Sequence, residues 1–445
     1  MKMKNILTMV FGGCAMTVAA TRPTIDPSSI SITGGDGYFA SEIKYTLTGI
    51  PAIVTIDIQT NTLPNAAGEW VSIGGKAMGE LGGEANKTVY EVGKPVSAYW
   101  WPGRDWTGNS VDAGNLRAIV TAWPTNEPPD YMVVSLSGLQ TNVPRFYISE
   151  SALPGGLHEN SEYKNTKVVM RKIPAKNVIW RMGAADGDQR ISEQKSEQEI
   201  AHRVRLSSDY YISVFEMTQG QYQTITGSNP SSNKNLQDSY CHPVECVKFS
   251  LIRGRAYTNE TSYAHCWPEN GHSVSADSAI GKLRKLAQMP LIDLPTDAQW
   301  EYACRAGTGS MFANGATTEG EAKRIANVNT QKSQPVGTLG ANLWGVYDMH
   351  GNVAEFVLDN CSTGAVYAAS FDSAYATGGV TDDPQGVSTA ESKRSLPGTE
   401  VIKRGGSFLH HWLWGRSATR MGGSHEYASK YIGFRVVCPV TGEMK

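Results

Sequence analysis

The sequence is poor in charge. Asp, Glu, Lys and Arg make up 18% of its 445 residues, and 40 basic side chains nearly cancel 42 acidic ones. A balance this even leaves no basic footprint for nucleic acid and none for an anionic lipid surface. Long apolar runs are missing too. Past residue 20, nothing is long and apolar enough to cross a bilayer, which takes ~20 such residues. No two cysteines show the short paired spacing of a zinc site, and no internal period points to a solenoid. These absences leave a globular protein with no membrane span and no nucleic-acid partner.

What is there begins with residues 1–20, MKMKNILTMVFGGCAMTVAA: two lysines, a short apolar run, then small residues. That is the layout of a secretory signal peptide, with Val18 and Ala20 where cleavage after Ala20 requires small side chains. Gly12-Gly13-Cys14 admits a second outcome, lipoprotein anchoring at Cys14. Either way the expectation is export: secreted, periplasmic or cell-surface. About 425 residues would remain, room for two or three domains at roughly 150 residues each. The 46 Gly, 19 Tyr and 11 Trp suit a loop-rich exported protein. Six cysteines would survive processing: Cys241, Cys246, Cys266, Cys304, Cys361 and Cys438. Their even number permits one to three disulfides without choosing the pairs, and Cys304, inside a predicted helix, reads equally as a buried free thiol.

From Ile30 to about Tyr147 the apolar period is two. Ile43, Tyr45 and Leu47 alternate with polar residues, as do Val54, Ile56 and Ile58, and again Met132, Val134 and Leu136. Short strands bounded by Gly, Pro and Asn indicate an all-β, immunoglobulin-like sandwich over residues 21–152. Trp100, Trp101 and Trp106 flank Pro102-Gly103. They read either as core packing or as a platform for a sugar or a partner.

A polar stretch with Gly and Pro, residues 153–165, reads as a linker to a second domain at 166–445. Strands are predicted at Val168–Met170, Val178–Gly183, His202–Leu206 and Tyr210–Phe215. Thr218 with Gln221 reads as a capping box, Phe249–Tyr257 and Ala279–Gln288 as helices, and Thr296 with Asp297 as the cap of a helix through Trp300. Residues 359–399, rich in Ser, Ala, Gly and Thr, read as an exposed insertion.

The stretch Trp344–Phe356, WGVYDMHGNVAEF, carries the densest chemistry. Asp348, Gly351 and Glu355 lie within eight residues. A hard cation takes carboxylate oxygens and main-chain carbonyls turned inward by a tight bend, and Gly351 is the residue that bends easily. Spacing alone also allows a solvated Asp and Glu around a turn. This stretch resembles the G-x-Y-D-M-x-G-N-V-x-E block of the formylglycine-generating enzyme (sulfatase-modifying factor) family. Phe215-Glu216-Met217-Thr218, the run Leu294–Ala303, Arg404-Gly405-Gly406-Ser407 and Ile432–Val437 follow in the family's order, so the resemblance covers roughly residues 165–440.

The resemblance implies an α+β fold, a variant of the C-type lectin fold with long loops over a small sheet. It also implies a structural calcium at Asp348, Gly351, Val353 and Glu355. A second calcium loop, which in relatives starts as Asn327-Val328 does here, lacks any Asp or Glu over Asn329–Pro335 and is not expected to bind. Family members that make formylglycine hold copper with two cysteines after the Arg-Gly-Gly-Ser-Phe-Leu run, because soft thiolates suit cuprous copper. Here those positions are His410 and Gly415. Copper is therefore not expected, and no catalytic residue is assigned.

What remains is Ser407–Tyr431, rich in Trp, His, Tyr, Arg and Ser, the residue types of adaptable binding surfaces. Its ligand-contact candidates are Ser407, His410, His411, Trp412, Trp414 and His425, with Arg416-Ser417-Ala418 as scaffold; the alternative reading packs Trp412 and Trp414 inward. The reading is a secreted, non-catalytic ligand-binding or display module whose partner is a protein, a peptide or a glycan. The competing reading is an oxidoreductase that converts a sulfatase cysteine to formylglycine, or performs a related oxidation.

Overall fold

Alternation builds the first unit. The computed structural model describes residues 22–35, 39–62, 68–109, 112–137, 143–185, 187–194, 199–254, 274–361, 379–384 and 400–441. In it β1 (Ser41–Thr48) and β2 (Ala52–Thr60) turn Ile43, Tyr45, Leu47, Val54, Ile56 and Ile58 inward, none more than 6% exposed. Side chains two residues apart share a strand face, so each run commits one face to the core. β3 (Pro95–Trp100) runs antiparallel to β1, and β4 (Leu116–Trp123) antiparallel to β2. The two sheets bury one apolar cluster that includes Trp100 and Val120. The three tryptophans share no platform. Trp100 is fully buried, Trp106 packs 6.2 Å from it, and half-buried Trp101 lies under the Arg104 guanidinium.

The first unit ends earlier than its period suggests. β5 (Tyr131–Ser135), the strand of Met132 and Val134, pairs with no sandwich strand. It joins a five-stranded antiparallel sheet with β6 (Arg145–Tyr147), β7 (Lys167–Ile173), β8 (Tyr210–Ser213) and, from the far end of the chain, Val437–Pro439. Period two identifies a strand but not its sheet. Residues 153–165 are likewise no free linker: Leu153, Leu157 and Tyr163 are at most 3% exposed and pack on Tyr131, Val169 and Phe215. Three spaced apolar anchors were hidden in a polar composition.

The second unit mixes sheet with short helices. β9 (Ala354–Cys361) lies between β10 (Glu400–Arg404), antiparallel to it, and β11 (Ile432–Phe434), parallel to it. The caps predicted at Thr218 and Thr296 form, the second with Gln299 rather than Asp297 as its partner, and Ser278 adds one that was not expected. Thr218 and Gln221 close a capping box on α1 (Gln219–Thr226), Ser278 caps α2 (Ala279–Ala287), and Thr296 with Gln299 closes a box on α3 (Asp297–Arg305). The helix expected over Phe249–Tyr257 is a single turn, Phe249–Ile252, and 255–257 lie outside the described residues. Cys241, Cys246, Cys304 and Cys438 are all free thiols. The expected signal segment with Cys14, Cys266, and most of the 359–399 insertion also lie outside the described residues. Among the described residues no helix is long and apolar enough to cross a membrane.

Candidate functional site

Three left-handed residues shape the turn at the centre of the second unit. Asp348 has φ 58°, Gly351 98° and Asn352 61°. Only Gly351 needs to be glycine, because a Cβ there would strike the Asn327 carbonyl. The turn is laced to its neighbours: Gly351 N–H donates to Gly405 O at 2.7 Å, and Asn352 N–H to Asn327 O at 2.8 Å.

The carboxylates around this turn are buried and outnumber the cations. Arg435 donates through Nε and Nη2 to the two oxygens of Glu355 at 2.6 and 2.7 Å, and Trp300 Nε1 donates to the same carboxylate at 2.7 Å. Glu216 accepts from Asn352 Nδ2 at 2.6 Å and Val353 N–H at 2.9 Å, while Asp348 accepts from Gly337 N–H at 2.7 Å. Burial, with Asp348 and Glu355 close by, holds the Glu216 carboxyl well above its usual range. Burial likewise raises Asp348 to about 6. The expected calcium set therefore fits only in part. Glu355 is spent as the counter-ion of Arg435, and among the described residues no three His, Cys, Asp or Glu side chains are grouped to hold a metal. Asp348 and the carbonyls of the bend are what remain of it. Asn327 is tied up locally, its side chain bonded to Lys332 O, Asn352 and Thr330, and Val328 is core.

A second ionic frame lies behind the first. Arg404, fully buried, donates to Asp297 and Glu301, and Arg420 donates to Asp297 at 2.7 Å. Opposing burial, the guanidiniums of Arg305, Arg404 and Arg420 bring Glu301 down to about 2. Arg416 pairs bidentately with Glu199 at 2.8 and 2.9 Å, the scaffold role expected for it.

The 407–431 segment sorts its candidates by burial. Ser407 is fully buried and its Oγ lies 2.9 Å from His410 Nδ1. Trp412, 8% exposed, stacks on Phe312 at 5.6 Å, and His425, 7% exposed, meets Phe249 edge-on at 5.1 Å. These three are packing residues, contrary to expectation. One 3-10 turn, Trp412–Gly415, decides which tryptophan goes in. His411 caps that turn through Nδ1 and is exposed, while His410 and Trp414 are half-buried. His410 packs 6.0 Å from Trp414 and edge-on to Tyr431 at 5.2 Å. Tyr431 Oη lies 2.9 Å from Oη of Tyr427, which is 46% exposed. The structure thus gathers His410, Trp414, Tyr427 and Tyr431 into one accessible aromatic face. Sequence reasoning singled out neither tyrosine, although their i, i+4 spacing beside a fixed strand was visible. Trp412→Ala is expected to cost about 2 kcal/mol more stability than Trp414→Ala, since only the first empties a core. Equal losses in urea unfolding would contradict this sorting.

The positions opposite the missing thiolates are quiet. Burial, helped by Lys403, lowers His410 to about 4, so its imidazole is neutral. The Gly415 carbonyl accepts from Nδ1–H of buried His350 at 2.8 Å, and His350 Nε2 accepts from Ala313 N–H at 3.2 Å. Both ring nitrogens of His350 are thereby used. Cys304, 3.6 Å from that ring, is a buried thiol pushed up to about 12 by desolvation, not an activated nucleophile.

The chain is 28% identical over 183 residues to chaperone protein LppX of Paenibacillus barcinonensis, covering 34% of this chain and 61% of that protein. It is 30% identical over 172 residues to the formylglycine-generating enzyme of Mycobacterium tuberculosis, covering 34% and 52%. The chain thus spans about half to three fifths of the length of these curated relatives. Among solved structures, Treponema denticola variable protein 1 aligns with a TM-score of 0.44 at 21% identity, over 61% of this chain and 95% of that one. The profile of the sulfatase-modifying factor enzyme 1-like (FGE-sulfatase) domain matches residues 168–440, well over half of the sequence and all of the ionic frame just described. This chain belongs to that family.

Proposed function

We propose that this protein is an exported, non-catalytic member of its family, a binding module that presents His410, His411, Trp414, Tyr427 and Tyr431 to a protein or peptide ligand. One observation carries the reading. Where the copper thiolates would stand there are an imidazole tied to Ser407 and a buried glycine, neither of which is a soft ligand for cuprous copper. The scaffold around them is kept, and the side chains it exposes there are those of binding hot spots. The name of the LppX relative, a chaperone protein, supports a binding role. The name of the mycobacterial relative supports the competing reading, oxidation of a sulfatase cysteine.

One experiment separates the two. The purified protein is incubated with a cysteine-containing sulfatase-motif peptide, copper, oxygen and a thiol reductant, and the peptide is weighed by mass spectrometry. No aldehyde is expected; aldehyde formation that disappears in His410→Ala would make this protein an enzyme. In parallel, a random peptide library panned on wild type should yield enriched sequences that Trp414→Ala and Tyr431→Ala no longer bind.

The surplus of Glu216, Asp348 and Glu355 over Arg435 supports a cation at the turn, which would be calcium held by Asp348 and main-chain oxygens at Gly351 and Val353. Its role would be structural. Calcium is then expected to raise the melting temperature of wild type and chelator to lower it, with no response in Asp348→Ala. A wild type indifferent to chelator would remove calcium from this reading.

A further inference from the structure

A cleft lies where the first unit meets the second, lined by residues that the proposed function does not use. Its floor is the outer face of the β2–β4 sheet, where Thr55 pairs with Thr121 and Asp57 with Ile119. Its roof is the chain from Tyr147 to Pro154, pinned at both ends by main-chain bonds to the sandwich. Phe146 N–H donates to Asn86 O at 2.7 Å, and Gly155 N–H to Gly75 O at 2.8 Å. Gly75 is a required glycine, because a Cβ there would run into the main chain of Ala152 and Leu153. Between floor and roof is a cavity of about 250 Å³. Clamped at both ends, it is preformed.

Its chemistry is uneven. Ile119 and Ile148 line it and stay 41% and 44% exposed, and Tyr147 and Met78 add further apolar wall. Asp57 is the single charged residue of the lining. Its oxygens accept from neutral groups, Ser72 Oγ at 2.5 Å and Gln59 Nε2 at 3.0 Å. Among the described residues it has no ion pair. A carboxylate without an ion pair, bordered by Thr55, Gln59 and Thr121 and sharing a cavity with Ile119, Ile148 and Tyr147 at a junction of two units, is complementary to a compact body with a cationic donor at one end and hydrocarbon at the other.

We propose that this cavity binds a small amphipathic amine, its ammonium group at Asp57 and its hydrocarbon against Ile119, Ile148 and Tyr147. The volume sets an upper size, since drug-sized ligands take pockets from about 300 Å³ upward.

The test is calorimetric titration of the full chain with n-hexylamine, n-hexanol and hexanoate. Saturable one-to-one binding of the amine is expected, with the alcohol about tenfold weaker, the worth of one charge-assisted hydrogen bond, and no binding of the carboxylate. Asp57→Asn keeps the side-chain shape and should bring the amine down to the level of the alcohol. Ile119→Trp, or Ile148→Trp if the first does not fold, should fill the cavity and abolish both, with the melting temperature of the unliganded protein unchanged. Absence of saturable amine binding to wild type overturns the proposal. So does equal affinity for amine and alcohol, or amine binding that survives the tryptophan variant.

Discussion

Arg435→Met is expected to cost about 3–5 kcal/mol of folding free energy in urea titration, the usual penalty for stranding a buried charge. The loss comes from what is left behind rather than from the arginine itself. Arg435 is fully buried and satisfies both oxygens of Glu355, while Glu216 and Asp348 lie in the same field. Without the guanidinium, Glu355 keeps a buried charge with no ion pair, in a desolvated pocket that it shares with the carboxyl groups of Glu216 and Asp348. The methylene stem is kept by Met, so packing changes little. Adding Glu355→Gln to Arg435→Met should recover part of the loss, because an amide can still accept from Trp300 Nε1 without carrying charge. A loss below about 1 kcal/mol, or no recovery in the double variant, would contradict this account.

The second large effect is a pH dependence centred on Asp359. It is 1% exposed, its Oδ2 accepts from Asp297 N–H at 2.6 Å, and its Oδ1 finds no partner among the described residues. Burial, and then the nearby Asp297 carboxylate, raise it from 3.8 to about 8; Arg420 and Arg404 pull the other way. Between those two values the folded protein holds a proton that the unfolded chain has released. Stability from this group is therefore complete below about pH 4 and falls as pH rises toward 8, at roughly 1.4 kcal/mol per pH unit. Asp359→Asn cannot titrate. Its stability relative to wild type should improve by roughly 3 kcal/mol between pH 5 and pH 7. Glu301 does not interfere: with a value brought down to about 2, its contribution is lost only on acidification below 4.5. A difference between wild type and variant that stays flat across that window would show that Asp359 ionises normally.

The two variants also mark where sequence reasoning reached and where it stopped. Features whose cause is local were legible: the capping box at Thr218, the N-cap at Thr296, the inward alternation of Ile43, Tyr45 and Leu47, and the bend at Gly351. Each depends on neighbours a few residues away. The role of Glu355 was not legible, because its partner Arg435 is 80 residues downstream and spacing around the carboxylate suggests a metal equally well. Trp412 and Trp414 have the same hydropathy, and only the turn between them sends one onto Phe312. Asp359 reads as the polar start of an insertion; what makes it unusual is its burial beside the Asp297 carboxylate, brought to it by the fold.

The position of β5 and β6 bears on how portable the aromatic face is. These strands precede the family match at residue 168, yet they complete the sheet on which β7 and β8 lie. A chain begun at the match would leave β7 with an open edge and Met132, Val134 and Phe146 missing from its core. Open edges of that kind invite pairing between molecules. Anyone transplanting the aromatic face to another carrier would have to cut just after Trp123, in the stretch Pro124–Asp130, and would then part the roof of the cleft from its floor. The aromatic face and the cleft can be separated by that cut, but only the face would survive it.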